Sequence, residues 1–344
     1  MASDSDPIRE SLETIPLADI DSADECFRIT TRNDLDDLCA SISKLGLLNP
    51  PRVLPGASGF VIVSGFRRVA ACRRRGWDRL RVGVLPSDAS PYHCACRAVG
   101  DNSTQRPLNA IEVGRSLRLL ERCAADGKVP PDDAVALGLP SNPGVAAKLM
   151  DLCRLPAAVQ HGVVEGWIPL AMALELGRME PALAIDLAEI FRELRIGLNK
   201  QREMVSLITE IAHRETTPAR RVLEEPQLAG VLHAADLDRR QKAHQLRKLL
   251  RQRRFPALQA AEHHFQTLRQ KLKLGENIQL TPPQDFEGIG MTLSMVIESL
   301  EDIGRLRDKL DELANHPVLE RILDGKRSLF VPACADGLDE QAAP

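Results

Sequence analysis

Aromatic residues are scarce in this sequence. They make up 3% of it, with a single Tyr and two Trp, so any core must be built mainly from Leu, Val, Ile and Ala. No run of eighteen apolar residues occurs, which excludes a membrane-spanning helix. A basic start followed by an apolar stretch is also missing, so a secretory signal is not expected and a cytoplasmic location is. Eight cysteines are scattered with no C-x-x-C pair. Their one cluster, His93-Cys94-Ala95-Cys96, lacks a second ligand pair at zinc-site spacing, which favours reduced, mostly buried thiols over a metal centre. Nor is there an excess of charge of one sign: 45 Lys and Arg face 48 Asp and Glu, a net of −3. That balance excludes a uniformly basic coat for nucleic acid. A soluble, helix-rich chain of several domains is expected.

What charge there is lies unevenly. Residues 1–40 carry eleven acids against three bases. Residues 65–81 hold seven arginines (67, 68, 73, 74, 75, 79 and 81) against Asp78 alone, and residues 239–254 hold eight bases and no acid. A run of like charge is commonly a solvated helix face. The first arginine run differs because it follows an apolar strand and a glycine.

The apolar pattern predicts a short strand at 15–20 and a helical stripe at Leu35, Leu38, Ile42 and Leu45 that Gly46 stops. A second strand at 50–54 and a turn at Gly56–Gly59 lead into Phe60-Val61-Ile62-Val63, apolar throughout and so expected to be buried on both faces. After Gly65 a helix runs to Gly76, and a fourth strand covers 80–85. Beyond this α/β unit the pattern is helical. Asn109 caps a helix starting at Ala110. Two short helices flank the Gly138–Gly144 turn, and amphipathic stretches occupy 157–176, 181–194 and 199–213. Residues 215–230, with Pro218 and Pro226, read as a linker. A basic helix at 238–274 is interrupted by Pro256, two alternating strands follow at 278–280 and 291–297, and Ser299 with Asp302 caps a final helix. The last twenty residues read as frayed.

A strand ending in Ser64-Gly65 and opening a helix with Arg67-Arg68 suits an anion. Glycine permits close approach, the helix N-terminus offers unpaired N–H groups, and guanidinium forks grip phosphate. Arginines in a first helical turn oppose the macrodipole, a penalty that a bound polyphosphate cancels. Further on, Asp101-Asn102 opens a turn before the helix at 110. A carboxylate and an amide oxygen are hard ligands suited to a phosphate-bound Mg²⁺, and the pair fits a plain polar turn equally well.

Several ordered boxes then coincide: Ile15-Pro16-Leu17-x-x-Ile20, Gly46-Leu47-Leu48-Asn49-Pro50-Pro51, Val63-Ser64-Gly65-Phe66-Arg67-Arg68-Val69-Ala70-Ala71, and Asp101-Asn102-Ser103-Thr104-Gln105-Arg106-Pro107-Leu108-Asn109-Ala110-Ile111-Glu112. Together they resemble the ParB partition proteins. The resemblance implies an acidic disordered leader (1–14), a ParB/sulfiredoxin-like α/β nucleotide-binding domain (15–120) and an all-α helix-turn-helix domain (121–215). A linker (216–237), a basic helix with a β-β-α dimerisation domain (238–323) and a flexible tail (324–344) follow. It implies CTP and Mg²⁺ as ligands, a homodimer that CTP closes into a clamp on DNA, and a nucleoid-associated role in chromosome or plasmid segregation or related gene regulation. By the same resemblance Gly65, Arg67 and Arg68 stand at the GERR box that contacts the triphosphate, with Ser64 and Phe66 beside them. Asp101 and Asn102 stand at the pair near phosphate and metal, and Asn49 lies in the loop that receives the base.

The departures are informative. Phe66 stands where the family has the glutamate tied to hydrolysis, and a phenyl ring can neither position nor deprotonate water, so at most weak CTPase activity is expected. Gln105 stands where an arginine is usual, with Arg106 one step later. Sulfiredoxins share the fold but carry their catalytic cysteine at the Phe66 position, and Cys72 is nearly two helical turns away, which disfavours that activity. In the helix at 144–153 only Lys148 suits base reading, and Asp151 would repel phosphate. The family's GHAR motif is replaced by Leu170-Ala171-Met172-Ala173. Arg251, Arg253 and Arg254 could instead meet the DNA backbone without sequence preference. The stripe Leu300, Ile303, Leu306, Leu310 and Leu313 fits a dimer face, because a β-β-α segment of this size buries little core alone. Two functions stay open: a CTP-gated DNA clamp, or a CTP-binding adaptor that recruits a ParA-type ATPase or scaffold protein without reading a DNA site.

Overall fold

A computed structural model describes residues 10–57, 59–275, 277–283, 286, 290–297 and 300–328. The chain divides into two units, Met1–Glu203 and Met204–Pro344.

The first unit opens with β1 (Ser11–Pro16), a single 3-10 turn, and β2 (Ile20–Asp21). The strand expected at 15–20 is therefore two strands, and β1 begins inside the leader expected to run to residue 14. Four of the six residues of β1 face solvent, so hydropathy gives no trace of it; its backbone pairing with β5 defines it instead. After α1 (Asp36–Leu45) come β3 (Arg52–Gly56), β4 (Gly59–Ser64), α2 (Phe66–Arg74), β5 (Arg79–Val84) and α3 (Pro91–Ser103). The five strands form one mixed sheet in the order β1-β5-β3-β4-β2, with β1/β5 and β3/β4 antiparallel and the other two pairs parallel. Along β4 the side chains alternate. Phe60 and Ile62 join the core shared with Val69 and Cys72 of α2, while Val61 and Val63 join the core shared with Cys94 and Ala98 of α3. The apolar run is explained by helices on both faces of the sheet.

α4 (Ala110–Cys123) follows, and its start is the expected one: Asn109 accepts from the Glu112 N–H while the Glu112 side chain accepts from the Asn109 N–H. Then come α5 (Pro131–Ala136), α6 (Pro143–Leu152), α7 (Ala157–Val164), α8 (Leu170–Leu176), α9 (Pro181–Leu194) and α10 (Leu198–Arg214). The predicted pair of short helices around Gly138–Gly144 is α5 and α6.

In the second unit the segment read as a linker contains α11 (Ala219–Leu223) and α12 (Pro226–His233). Pro218 and Pro226 sit at the N-cap of the first and the first position of the second, where proline starts a helix rather than breaking one. Asp238 and Gln241 form a capping box that opens α13 (Arg239–Arg254), and Pro256 begins α14 (Pro256–Lys271). A hairpin of β6 (Ile278–Thr281) and β7 (Thr292–Met295), then α15 (Leu300–Ala314) and α16 (Pro317–Ser328), complete it. Phe265 and Leu268 of α14, Leu280, Leu313 and Ile322 share one core. The hairpin and last helices therefore bury a core against α14, which the count for a β-β-α segment alone omits. The Ser299 cap, Cys334 and most of the tail (329–344) lie outside the described residues, as do residues 1–9 and the side chain of Leu300.

Candidate functional site

The site is built where β4 turns into α2. Gly65 has φ +92°, and a Cβ there would stand 2.7 Å from the Cβ of Pro51, so conformation and space both require glycine. α2 begins without a side-chain cap and without an acid in its first turn, leaving its N-terminal N–H groups for a ligand. Just behind, the Ser64 hydroxyl is fully buried with no hydrogen-bond partner, and the Nε of Arg67 is likewise buried and unpartnered. Buried polar atoms in native proteins nearly always have partners, so two orphans at one helix start mark a place that a ligand or water completes.

A pocket of about 210 Å³ lies over this junction. Asn49, Gly65, Phe66, Arg67, Arg68, Asp101 and Asn102, seven of the eight nucleotide-binding residues expected from the sequence, line it, and Ser64 adjoins Gly65. Ile29, Thr30, Leu38, Gln105 and Arg106 complete the lining. Phe66 packs against both cores of the first unit, so the ring has a packing role.

Arg67 donates to the Asp34 carbonyl at 2.5 Å. Arg68 donates through Nη1 to the carbonyls of Asn49 (2.9 Å) and Pro50 (3.2 Å), and through Nη2 to Asp101 Oδ2 (2.5 Å). It thereby ties α2 to both the 47–51 loop and α3. Asp101 and Asn102 are not in a turn before α4; they lie in the last turns of α3, a helix that the apolar pattern does not predict. The Asp101 carboxylate also accepts from Arg52 Nη1 (3.2 Å) and Gln105 Nε2 (3.4 Å). Asn102 donates its amide to the Ala98 carbonyl at 2.8 Å, which leaves its oxygen as a donor atom for a cation. Among the described residues no cluster of three His, Cys, Asp or Glu could hold a metal unaided. The free oxygen of Asn102 suits a cation such as Mg²⁺, whereas both oxygens of Asp101 already accept from neighbouring side chains.

Arg106 is also committed. It grips Glu112 through two 2.6 Å contacts, and Glu112, fully buried, accepts further from the Thr31 N–H (3.0 Å) and the Asn109 N–H (3.1 Å). Burial pushes the Glu112 carboxyl up, but the Arg106 contacts and the two backbone N–H groups outweigh it and hold it at about 2. Arg106, one step after Gln105, is thus held as a structural clamp on Glu112.

The remaining predicted residues lie elsewhere. Lys148 is exposed on α6, where Val145 and Ala147 are its exposed neighbours. On α13, Arg251 is exposed, but Arg253 pairs with Glu215 (2.6 Å) and Glu225, and Arg254 pairs with Glu210 (2.6 Å) and stacks on Phe255. The sequence shows eight bases without an acid on α13 and cannot show that carboxylates from α10 and from the turns beside it and before α12 fold onto two of these. A groove between α13 and α14 instead carries His244, Arg247, Lys248 and Arg251. Of the dimer stripe, Leu313 is buried in the core of its own unit, while Ile303 and Leu310 are 49% and 44% exposed.

A comparison with curated proteins gives no match. Among solved structures, the chain is similar to the C-terminally truncated chromosome-partitioning protein ParB from Caulobacter crescentus. The complex with CTP-gamma-S shares 24% identity, over 53% of this chain and 99% of that one, with a TM-score of 0.25. The complex with the centromeric parS site shares 20%, over 55% and 96%, with a TM-score of 0.32. A pNOB8-like ParB N-domain shares 14%, over 59% and 93%, with a TM-score of 0.35. A family model described as the ParB N-terminal domain matches residues 1–96, a span that contains the sheet, the Ser64–Arg68 junction and the Asn49 loop. Over that span the chain is similar to ParB N-terminal domains.

Proposed function

We propose that this chain binds a nucleoside triphosphate, CTP by its family resemblance, at the start of α2, and works as a ParB-like partition protein that clamps DNA as a homodimer. The observation that carries the reading is the uncapped N-terminus of α2 with Arg67 and Arg68 in its first turn and the orphaned Ser64 hydroxyl behind it. A volume of about 210 Å³ is below the ~300–1,000 Å³ of pockets that enclose a whole small molecule. It suits the phosphates and Mg²⁺, with Asn102 as the protein ligand, and leaves the base to the 47–51 loop, where Leu48 is 70% exposed. With Phe66 at the hydrolytic position, binding outlasts turnover. Nucleoid association in the cytoplasm, and recruitment of a ParA-type ATPase, belong to the same reading.

The second reading, an adaptor that keeps the nucleotide switch without reading a DNA site, is favoured by one feature. The solvent-facing start of α6 offers Val145, Ala147 and a lone cation, Lys148, which is little to set against base edges.

The test is calorimetric binding of CTP, ATP and GTP to the full chain and to Arg68→Ala, with release of nucleoside diphosphate followed in parallel. Micromolar CTP binding, its loss by at least tenfold in Arg68→Ala, and little or no diphosphate release are expected. Unchanged binding in Arg68→Ala refutes the site. Turnover comparable to ordinary partition proteins refutes the role given to Phe66. Genomic fragments captured with and without CTP separate the two readings, since a discrete enriched site requires the clamp.

A further inference from the structure

We propose that Asp101 positions Arg68 for phosphate, supported from behind by Arg52, and that it is not a ligand of the metal ion. The inference rests on the nucleotide reading above and assigns a role to a residue, Arg52, that no motif singles out.

The sheet register makes this arrangement. Arg52 opens β3 directly opposite Ser64, the last residue of β4, so its side chain starts beside the turn that leads into α2. From there Nη1 reaches Asp101 Oδ1 at 3.2 Å, and Nε reaches Glu10 Oε2 at 2.9 Å. Arg97 on α3 approaches the same Glu10 oxygen at 3.8 Å. Charges thus alternate from the edge of the sheet into the pocket: Glu10, Arg52, Asp101, Arg68. The last pair is largely shielded, with side chains 13% and 16% exposed.

Each oxygen of Asp101 is occupied, Oδ1 by Arg52 and Gln105, and Oδ2 by Arg68. Mg²⁺ demands an oxygen at about 2.0–2.1 Å in near-ideal octahedral geometry. Coordinating it here would set a dication against two guanidinium groups that already share the carboxylate. Arg68, for its part, is fixed on two sides. Nη1 directs its hydrogens to the carbonyls of Asn49 and Pro50, and Nη2 directs one to Asp101. The Nε–H and the second Nη2–H are not used by these contacts and are left to donate to phosphate oxygens. Holding Arg68 in place before the ligand arrives spares the loss of rotamer freedom that a mobile arginine suffers on binding.

The two roles differ in how the site responds to metal. CTP binding is titrated calorimetrically against the full chain, and the Mg²⁺ concentration that gives half-maximal binding is determined for wild type, Arg52→Ala, Arg52→Lys, Asp101→Asn and Asn102→Ala. Arg52→Ala and Asp101→Asn are expected to lose about tenfold in CTP affinity at saturating Mg²⁺ while the Mg²⁺ midpoint stays within about twofold of wild type. Arg52→Lys, which keeps the charge, recovers part of the loss, and Asn102→Ala moves the Mg²⁺ midpoint upward. A raised midpoint in Asp101→Asn identifies Asp101 as a metal ligand and overturns the proposal. Unchanged affinity in Arg52→Ala, or a loss that follows a lowered melting temperature and is not relieved in Arg52→Lys, overturns it as well. Failure of the wild-type chain to bind CTP refutes the underlying nucleotide reading, an outcome distinct from CTP binding with an indifferent Arg52.

Discussion

Glu112 shows how one side chain can organise a domain. It closes the capping box of α4, and through Thr31 and Arg106 it fastens the 28–32 segment and the end of α3 to that helix. Held at about 2, against an ordinary value of 4.5, the ionised carboxylate stabilises the first unit by about 3 kcal/mol at neutral pH. Because the folded value is the lower one, that contribution is complete above about pH 4.5 and disappears as the pH falls through about 2. Glu112→Gln removes the charge and leaves Arg106 without its partner. It should destabilise the first unit by about 3–5 kcal/mol at pH 7 and by progressively less below pH 4. Urea unfolding followed by tryptophan fluorescence reads this directly, since Trp77 and Trp167, the two tryptophans of the chain, both lie in the first unit. A deficit of equal size at pH 7 and pH 3 contradicts the assignment.

At the scale of elements, α13 separates what a charge pattern shows from what a fold does with it. Its eight bases form no uniform face: Arg253 and Arg254 are engaged by Glu210, Glu215 and Glu225, whereas His244, Lys248 and Arg251 remain exposed along the groove to α14. Lys248→Glu/Arg251→Glu should therefore weaken binding to duplex DNA of arbitrary sequence. It should also flatten the salt dependence by roughly one unit of log–log slope for each phosphate that no longer meets a cation. Arg253→Glu should leave DNA affinity nearly unchanged and lower the melting temperature of the second unit. Filter binding across a salt series distinguishes the two, and equal weakening in both variants would restore Arg253 to the DNA face. The same contrast explains what is legible in the sequence. α1, β4, α2, α4 and α9 announce themselves because glycines, caps and apolar periodicity agree locally. β1 is hidden because its pairing with β5 is a backbone matter, and α3 because its buried Cys94, Ala95, Ala98 and Val99 are small or flanked by polar ends. The Asn49, Gly65, Arg67 and Arg68 set is legible as an ordered motif. Arg52 is not, because only strand register brings it beside Ser64.

For the whole molecule, the near-zero net charge of −3 is a sum over unlike parts: an acidic start, an arginine run of which Arg67 and Arg68 line a pocket, and a basic helix whose Arg253 and Arg254 are paired with carboxylates. A clamp further requires two copies, and the second unit shows which of its apolar residues are available for pairing. Leu313 is 4% exposed and packs with Phe265, Leu280 and Ile322 of the same chain. Ile303 and Leu310, two helical turns apart on one side of α15 with Leu306 between them, are not so covered. If the homodimer forms through this stripe, Ile303→Asp/Leu310→Asp should halve the molar mass measured by light scattering while leaving the thermal unfolding of the first unit intact. Leu313→Asp should behave differently: a carboxylate placed in that core unfolds the second unit instead of merely parting two folded copies. A dimer that persists in Ile303→Asp/Leu310→Asp places the pairing surface elsewhere. CTP-dependent retention on closed-circular DNA, abolished in this variant and kept in Arg253→Glu, would then tie dimerisation to the proposed clamp rather than to stability, since a monomer that still bound nucleotide could not encircle a duplex.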